Sequence, residues 1–191
     1  MRMSRVIILG LAGGAILPTL AAATDQDINL TANVQKFCAF PNNPTIDALN
    51  NMTPGAITPS QSVVDVTPGS IVNGFLSGDG HGFQYTSQGT CNHPSKVYLK
   101  TLNGGLKDPT PESVTSGTFA TRIDYLATAG WDGAPLASLH TTGTAGAQSI
   151  VRLAAGPHAG SLTVHVELDP NASPLAAGDY TDTLTVTVEP Q

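Results

Sequence analysis

The sequence predicts an all-β protein, a sandwich of short antiparallel strands that carries one disulfide. Apolar residues alternate with polar ones in several short stretches, which is typical of half-buried strands. Turn-forming residues separate these stretches, as in Asp79-Gly80, Asn103-Gly104-Gly105 and Gly178-Asp179. The 191 residues contain two cysteines, which fit a bridge from an early strand of a sandwich to a middle one.

The strands themselves are predicted from period-two alternation. It is clearest in residues 28–34, 162–168 and 184–188, where apolar side chains alternate with Thr, Asn, His or Glu. Weaker alternation predicts further strands at 62–67, 82–90, 96–102, 122–128 and 149–153. The proline-rich stretch after Cys38 is predicted to be a long irregular connection holding at most a short strand. Residues 107–118 and 128–148 are predicted to be loose.

Composition and charge exclude several classes of protein. Net charge is −6 with only eight lysines and arginines, so no basic stripe for nucleic acid or anionic membrane is present. The 20 glycines and 14 prolines follow no period, which excludes collagen. A hydrophobic content of 40% argues against wholesale disorder.

The first 23 residues read as a secretory signal peptide. Arg2 and Arg5 precede an apolar run at 6–20, and Ala21-Ala22-Ala23 supplies the small residues of a cleavage site. The run is shorter than the ~20 residues that cross a bilayer as a helix. We therefore expect export, with no integral membrane segment after cleavage.

Export favours pairing of Cys38 with Cys91, since the compartment is oxidising. The closed loop of about 54 residues corresponds to ~4 kcal/mol in the chain-entropy model. A metal site is the alternative use of two cysteines. It is disfavoured because no Cys-x-x-Cys spacing occurs and no histidine lies at ligand spacing from either residue.

Catalytic signatures are absent from the linear sequence. The five histidines stand apart, and neither Gly-x-Ser-x-Gly nor His-Glu-x-x-His occurs. We therefore expect no enzyme activity, no cofactor and no metal site.

Trp131, the only tryptophan, lies among glycines in Ala129-Gly130-Trp131-Asp132-Gly133. If exposed, its indole would be a ligand contact that stacks on a sugar or anchors a partner. The alternative is that Trp131 covers one end of the sandwich core.

The two ends of the predicted mature chain are both of strand quality. In the first, Ile28, Leu30, Ala32 and Val34 recur at every second residue, which suits insertion beside the edge of a sheet. The second ends in a long alternating strand, after which a sandwich would lack its last strand. The alternative is that both segments are ordinary strands paired within one molecule.

Four features in order resemble the spore coat protein U domain family, which includes the pilin subunits of archaic chaperone–usher pili. They are the alternating segment leading to Cys38, Gly89-Thr90-Cys91 followed by Val97-Tyr98-Leu99, the turn at 102–106 leading to Ile123-Asp124-Tyr125, and the ending at 177–188. The resemblance implies an incomplete, pilin-type immunoglobulin-like β-sandwich with a structural disulfide between Cys38 and Cys91.

The resemblance also implies a function. The chain would be a structural or adhesive subunit that passes through the periplasm to the cell surface, held by a periplasmic chaperone and delivered to an outer-membrane usher. It would polymerise with copies or related subunits by donor-strand complementation, with Ile28, Leu30, Ala32 and Val34 as donor side chains. Residues 24–36 would be the donor extension and 37–191 the sandwich. A stand-alone secreted binding module, for a surface glycan or partner protein, is the alternative.

Overall fold

The computed structural model describes residues 30–58, 61–66, 70–76, 80–109, 118–132, 137–152 and 156–191. Within these ranges every regular element is a β-strand. The chain divides into two compact units, residues 1–34 and 35–191. The fold of the second unit follows, and it confirms the all-β prediction and the disulfide.

A main antiparallel sheet contains the longest strands. In spatial order they are β1, β7, β14, β11 and β12, and β2 also pairs with β7. Their bounds are β1 Cys38–Ala39, β2 Thr45–Asn50, β7 His81–Cys91, β11 Tyr125–Trp131, β12 Ala137–His140 and β14 His158–Leu168. Strand β7 is paired along its whole length with β14, from His158 opposite Cys91 to Leu168 opposite His81.

A second antiparallel sheet has the order β13, β8 and β15. These strands span β8 Ser95–Thr101, β13 Gln148–Arg152 and β15 Leu184–Pro190. Three smaller pairs complete the unit: β3 Met52–Thr58 with β4 Gln61–Val66, β5 Ile71–Val72 with β6 Phe75–Leu76, and β9 Leu106–Lys107 with β10 Arg122–Ile123.

Alternate residues of both sheets form one apolar core. Val97 and Leu99 from the second sheet are fully buried, as are Ala127 and Val164 from the main sheet. The inward residues of β14 are Leu162, Val164, Val166 and Leu168, the set that the alternation predicts. The two sheets therefore pack as a sandwich around a shared core.

Most predicted strands are present, although β14 begins at His158, four residues earlier than predicted, and the strand predicted at 122–128 is divided into β10 and β11. No strand is assigned to residues 30–34 of the strand predicted at 28–34, and two further regions also differ from the prediction. The proline-rich stretch contains β2 and β3 in addition to β4, which matches the strand predicted at 62–67, and the loose region 128–148 contains β12 and the end of β11. Asn51, with φ 49°, joins β2 to β3, and its side-chain amide donates to the carbonyl of Gly80 at 2.8 Å.

The disulfide end of the sandwich is densely packed. Cys38 lies opposite Cys91 in the β1–β7 ladder, and their sulfurs are bonded at 2.08 Å. The Phe40 ring lies 5.3 Å from the Trp131 ring, centroid to centroid. This contact requires Gly89, because a Cβ there would lie 2.4 Å from an atom of the Phe40 ring.

Replacing Gly89 by alanine should destabilise the domain. The added methyl group would displace Phe40 from its contact with Trp131, and overpacking of this kind costs about 1–3 kcal/mol. We expect urea denaturation to show a free energy of unfolding lower by that amount. The matched control is Gly156→Ala, where a Cβ has no neighbour within 4 Å. Equal stability of the two variants would contradict this account of the packing.

Candidate functional site: the open edge of the last strand

The last strand, β15, lies at the edge of its sheet. Thr183 accepts a backbone hydrogen bond from Leu102 at 3.0 Å, and Gln191 donates one to Pro94 at 2.6 Å. In an antiparallel ladder, bonded and non-bonded residues alternate. The odd-numbered residues of β15 therefore face β8, whereas Leu184, Val186 and Val188 direct their N–H and C=O groups away from it. Among the described strands, β8 is the one neighbour that β15 has in its sheet.

The same three residues turn their side chains to the core yet remain partly exposed. Leu184, Val186 and Val188 are only half-buried, and so are Phe83 and Tyr85 of β7. The Phe83 and Tyr85 rings lie 6.4 Å apart and nearly parallel. Burial raises the pKa of Tyr85 to about 12, so its phenol stays uncharged at physiological pH. Leu184, Val186 and Val188 are called the apolar track below.

An edge position alone does not cause this partial burial. Strand β12 is also an edge strand of its sheet, yet its inward residues Ala137 and Leu139 are only 1% and 6% exposed. There the two sheets approach each other, and the Ser138 N–H donates to the Ser149 hydroxyl of β13 at 3.3 Å. One side of the sandwich is thus covered by its own strands, whereas no described strand extends the second sheet beyond β15 to give its inward residues equivalent cover.

A single carboxylate fixes the start of β15. One oxygen of Asp182 accepts from the backbone N–H groups of Asn103 at 2.8 Å and Thr183 at 2.7 Å. The other accepts from the Thr101 hydroxyl, from the Gly105 N–H at 3.1 Å and from the Tyr125 hydroxyl at 2.9 Å. Gly104 and Gly105 have φ values of 77° and 131°, which allows the turn to direct its N–H groups at this carboxylate.

The opposite end of β15 is fixed by the residues that precede β1. Asn92 accepts from the Phe37 N–H at 2.8 Å and donates from its side chain to the Gln35 carbonyl at 2.8 Å. The Lys36 ammonium donates to the Gln191 carbonyl oxygen at 2.6 Å. The chain that enters β1 therefore lies beside the end of β15.

The predicted donor residues form no strand in the part that the structure describes. Residues 30–37 are not assigned to a strand, and Leu30 and Val34 are 91% and 75% exposed. Ala32 is exposed as well, and Ile28 lies outside the described residues, as does the predicted signal peptide. The alternating side chains of Leu30, Ala32 and Val34 are thus exposed, and they do not belong to a β-sheet.

The interpretation of Trp131 as an exposed ligand contact is wrong. Its side chain is 1% exposed and packs against Phe40 and His158. The alternative, that it covers one end of the core, agrees with this position. The flanking glycines suggested a loop, but Gly130 and Trp131 belong to β11. Trp131 continues the two-residue spacing of Tyr125, Ala127 and Ala129, so its side chain lies on the core side of the strand.

A second polar group lies near the start of β11. Arg122 donates to both carboxylate oxygens of Asp124 at 2.8 Å. His140 on β12 meets Asp169, just after β14, at 2.6 Å. The hydrogen bond that His140 donates to the Asp169 carboxylate raises the pKa of His140. Arg122 and Asp124 are only two residues apart in the sequence. The His140–Asp169 pair was not apparent from the sequence, because the register of β12, β11 and β14 is needed to bring its partners together.

The described residues contain no group of three or more His, Cys, Asp or Glu side chains placed to hold a metal ion. They also include no helix of the length and apolar character needed to cross a membrane.

No protein-family model matches the chain, and no curated protein matches it.

Asp182→Asn should lower the free energy of unfolding of the domain, although the two side chains have nearly the same shape. The new NH₂ group would face N–H or O–H donors that now bind a carboxylate oxygen, and a buried donor left unsatisfied costs about 1–3 kcal/mol. We expect urea denaturation to give a loss in that range. Asp179→Asn, at an exposed position three residues away, should leave the free energy of unfolding unchanged. Equal effects of the two variants would show that Asp182 does not anchor β15.

The His140–Asp169 pair should titrate as an ion pair. Because folding raises the pKa of His140 above its usual 6.5, the pair stabilises the fold at pH below 6.5 and loses this contribution as pH rises through the folded-state value. The side chains are 55% and 37% exposed, so the contribution is small. We expect NMR titration to give a His140 pKa above 6.5 that falls in Asp169→Asn. An unchanged value in that variant would contradict the pairing.

Proposed function

We propose that this chain is an exported structural or adhesive subunit that assembles into surface fibres by strand exchange. The observation that carries the proposal is the edge position of β15 among the described strands, together with its half-buried apolar track. An alternating segment of another molecule would add a strand to this edge. Its N–H and C=O groups would pair with Leu184, Val186 and Val188, and its apolar side chains would cover the track.

The donor in this proposal is the segment containing Ile28, Leu30, Ala32 and Val34. Apolar side chains as exposed as Leu30 and Val34 are costly in water, and an unpaired strand edge invites pairing with another chain. Four such side chains would bury about 300–400 Å², equivalent to ~8–10 kcal/mol before ordering costs. The joint would therefore dissociate slowly.

The partners follow from the same proposal. A subunit with an open edge needs a temporary partner before assembly, since the edge would otherwise pair at random. This supports a periplasmic chaperone that covers β15 and an outer-membrane usher that exchanges it for the next subunit. The signal-peptide pattern of residues 1–23 supports export, and the Cys38–Cys91 disulfide fits an oxidising compartment.

Leu30→Asp should abolish assembly, because a carboxylate cannot enter an apolar track without a large desolvation cost. The exported protein would be measured by size-exclusion chromatography with light scattering. The matched control is Thr31→Asp, which adds the same charge on the opposite face of an extended donor. We expect polymers for the unchanged chain and for Thr31→Asp, and monomers for Leu30→Asp.

Binding of a synthetic peptide tests the proposed acceptor, the edge of β15, directly. A chain that lacks residues 24–34 should bind a synthetic peptide of that sequence and gain thermal stability, and the Leu30→Asp peptide should not bind. Polymerisation of Leu30→Asp at the level of the unchanged chain would overturn the proposal. A stable monomer for the unchanged chain, indifferent to the peptide, would overturn it as well.

A further inference from the structure

A cavity of about 330 Å³ opens beside β10 and the start of β11, in a part of the chain that the proposed assembly does not use. Its walls come from the segment before and within β10 and from the loop after β14. The lining residues used below are Phe119, Arg122, Asp124, Asp169, Asn171 and Ser173. Such a volume lies in the range of small-molecule sites.

The two walls are joined by backbone hydrogen bonds. The Ala120 N–H donates to the Pro174 carbonyl at 2.8 Å, and the Ala176 N–H donates to the Ala120 carbonyl at 2.9 Å. The Asp169 N–H donates to the Asp124 carbonyl at 2.8 Å. The cavity is therefore bounded by segments tied to each other rather than by independent loops.

The polar side chains of the cavity are also fixed in position. The Arg122–Asp124 pair is bidentate, and Asp169 is held by His140. The side-chain amide of Asn171 donates to the carbonyls of Gly74 at 2.8 Å and Ser173 at 2.7 Å, and its oxygen accepts from the Leu76 N–H. A ligand would meet donors and acceptors that are already ordered, which reduces the entropic cost of binding.

The charges of the cavity are balanced. The guanidinium of Arg122 neutralises Asp124, and His140, when protonated, neutralises Asp169. A free cation would have to compete with these partners, and an anion would meet two carboxylates. The arrangement instead suits an uncharged ligand that both donates and accepts hydrogen bonds.

An exposed aromatic ring completes the site. Phe119 lines the cavity and is 44% exposed, although a phenylalanine side chain of this size gains from burial. Aromatic faces are suited to the apolar C–H face of a sugar ring, while polar groups fix its hydroxyls. This is the role that the sequence suggested for Trp131, which is buried.

We propose that this cavity binds a neutral carbohydrate, with the Phe119 ring against one face of a pyranose and Asp169 and Arg122 bonding to its hydroxyls. No lining residue belongs to β15 or to residues 30–34, so the inference does not depend on strand exchange. A subunit of this kind would bind a surface glycan whether it stands alone or within a fibre.

The test is saturation-transfer and ¹H–¹⁵N NMR of the folded protein with a panel of probes. The probes are the methyl glycosides of glucose, galactose, mannose and N-acetylglucosamine, with spermidine and citrate as charged controls. We expect at least one glycoside to bind and to shift the resonances of residues 119–124 and 169–173. Phe119→Ala should weaken that binding about tenfold, and Phe119→Tyr should retain it.

Two further variants distinguish the cavity from other surfaces. Asp169→Asn should weaken binding of the glycoside, because a hydroxyl would lose a carboxylate acceptor. Ile150→Ala removes an equally exposed apolar side chain on β13, 50% exposed, and should have no effect. Binding of no glycoside at millimolar concentration would overturn the proposal. So would shifts caused only by spermidine or citrate, or glycoside binding unaffected by Phe119→Ala.

Discussion

The edge position of β15, whose one neighbour among the described strands is β8, is the constraint on which the rest of the molecule depends. The strand is long, regular and hydrogen-bonded on one side, and a strand in that condition needs rigid support to stay extended. Asp182 gives this support at one end through five hydrogen bonds, and the Lys36–Gln191 and Gln191–Pro94 contacts give it at the other. The edge is thus held in an extended conformation, so that the proposed strand exchange would need little ordering of β15.

The sequence predicts the central strands well because each has one buried and one exposed face. Alternation in β14 and β15 follows directly from that geometry. It fails for β2 and β3, where Pro44 and Pro54 mask the signal and most described side chains are exposed, so no apolar period develops. It also fails for β12, whose four residues are too few to show a period.

The site was predictable in part, for similar physical reasons. The cysteine pair required only the composition and the compartment. The burial of Trp131 depends on Gly89, which lies on another strand and leaves room for Phe40. Asp182 appears in the sequence as an isolated acid, and its role arises only when the 101–105 turn directs its donors at one carboxylate. Contacts of this kind join residues about 80 positions apart and leave no local pattern.

The dimensions of the edge agree with the proposed donor. Pro190 has no N–H group, so the outward-facing N–H donors of β15 come from Leu184, Val186 and Val188. The described part of the alternating segment supplies Leu30, Ala32 and Val34 at the same two-residue spacing. An added strand at this spacing would place an apolar side chain over each of Leu184, Val186 and Val188. A shift of one residue would turn the apolar face of the donor away from the track, so the shared two-residue spacing would restrict the register of the exchange.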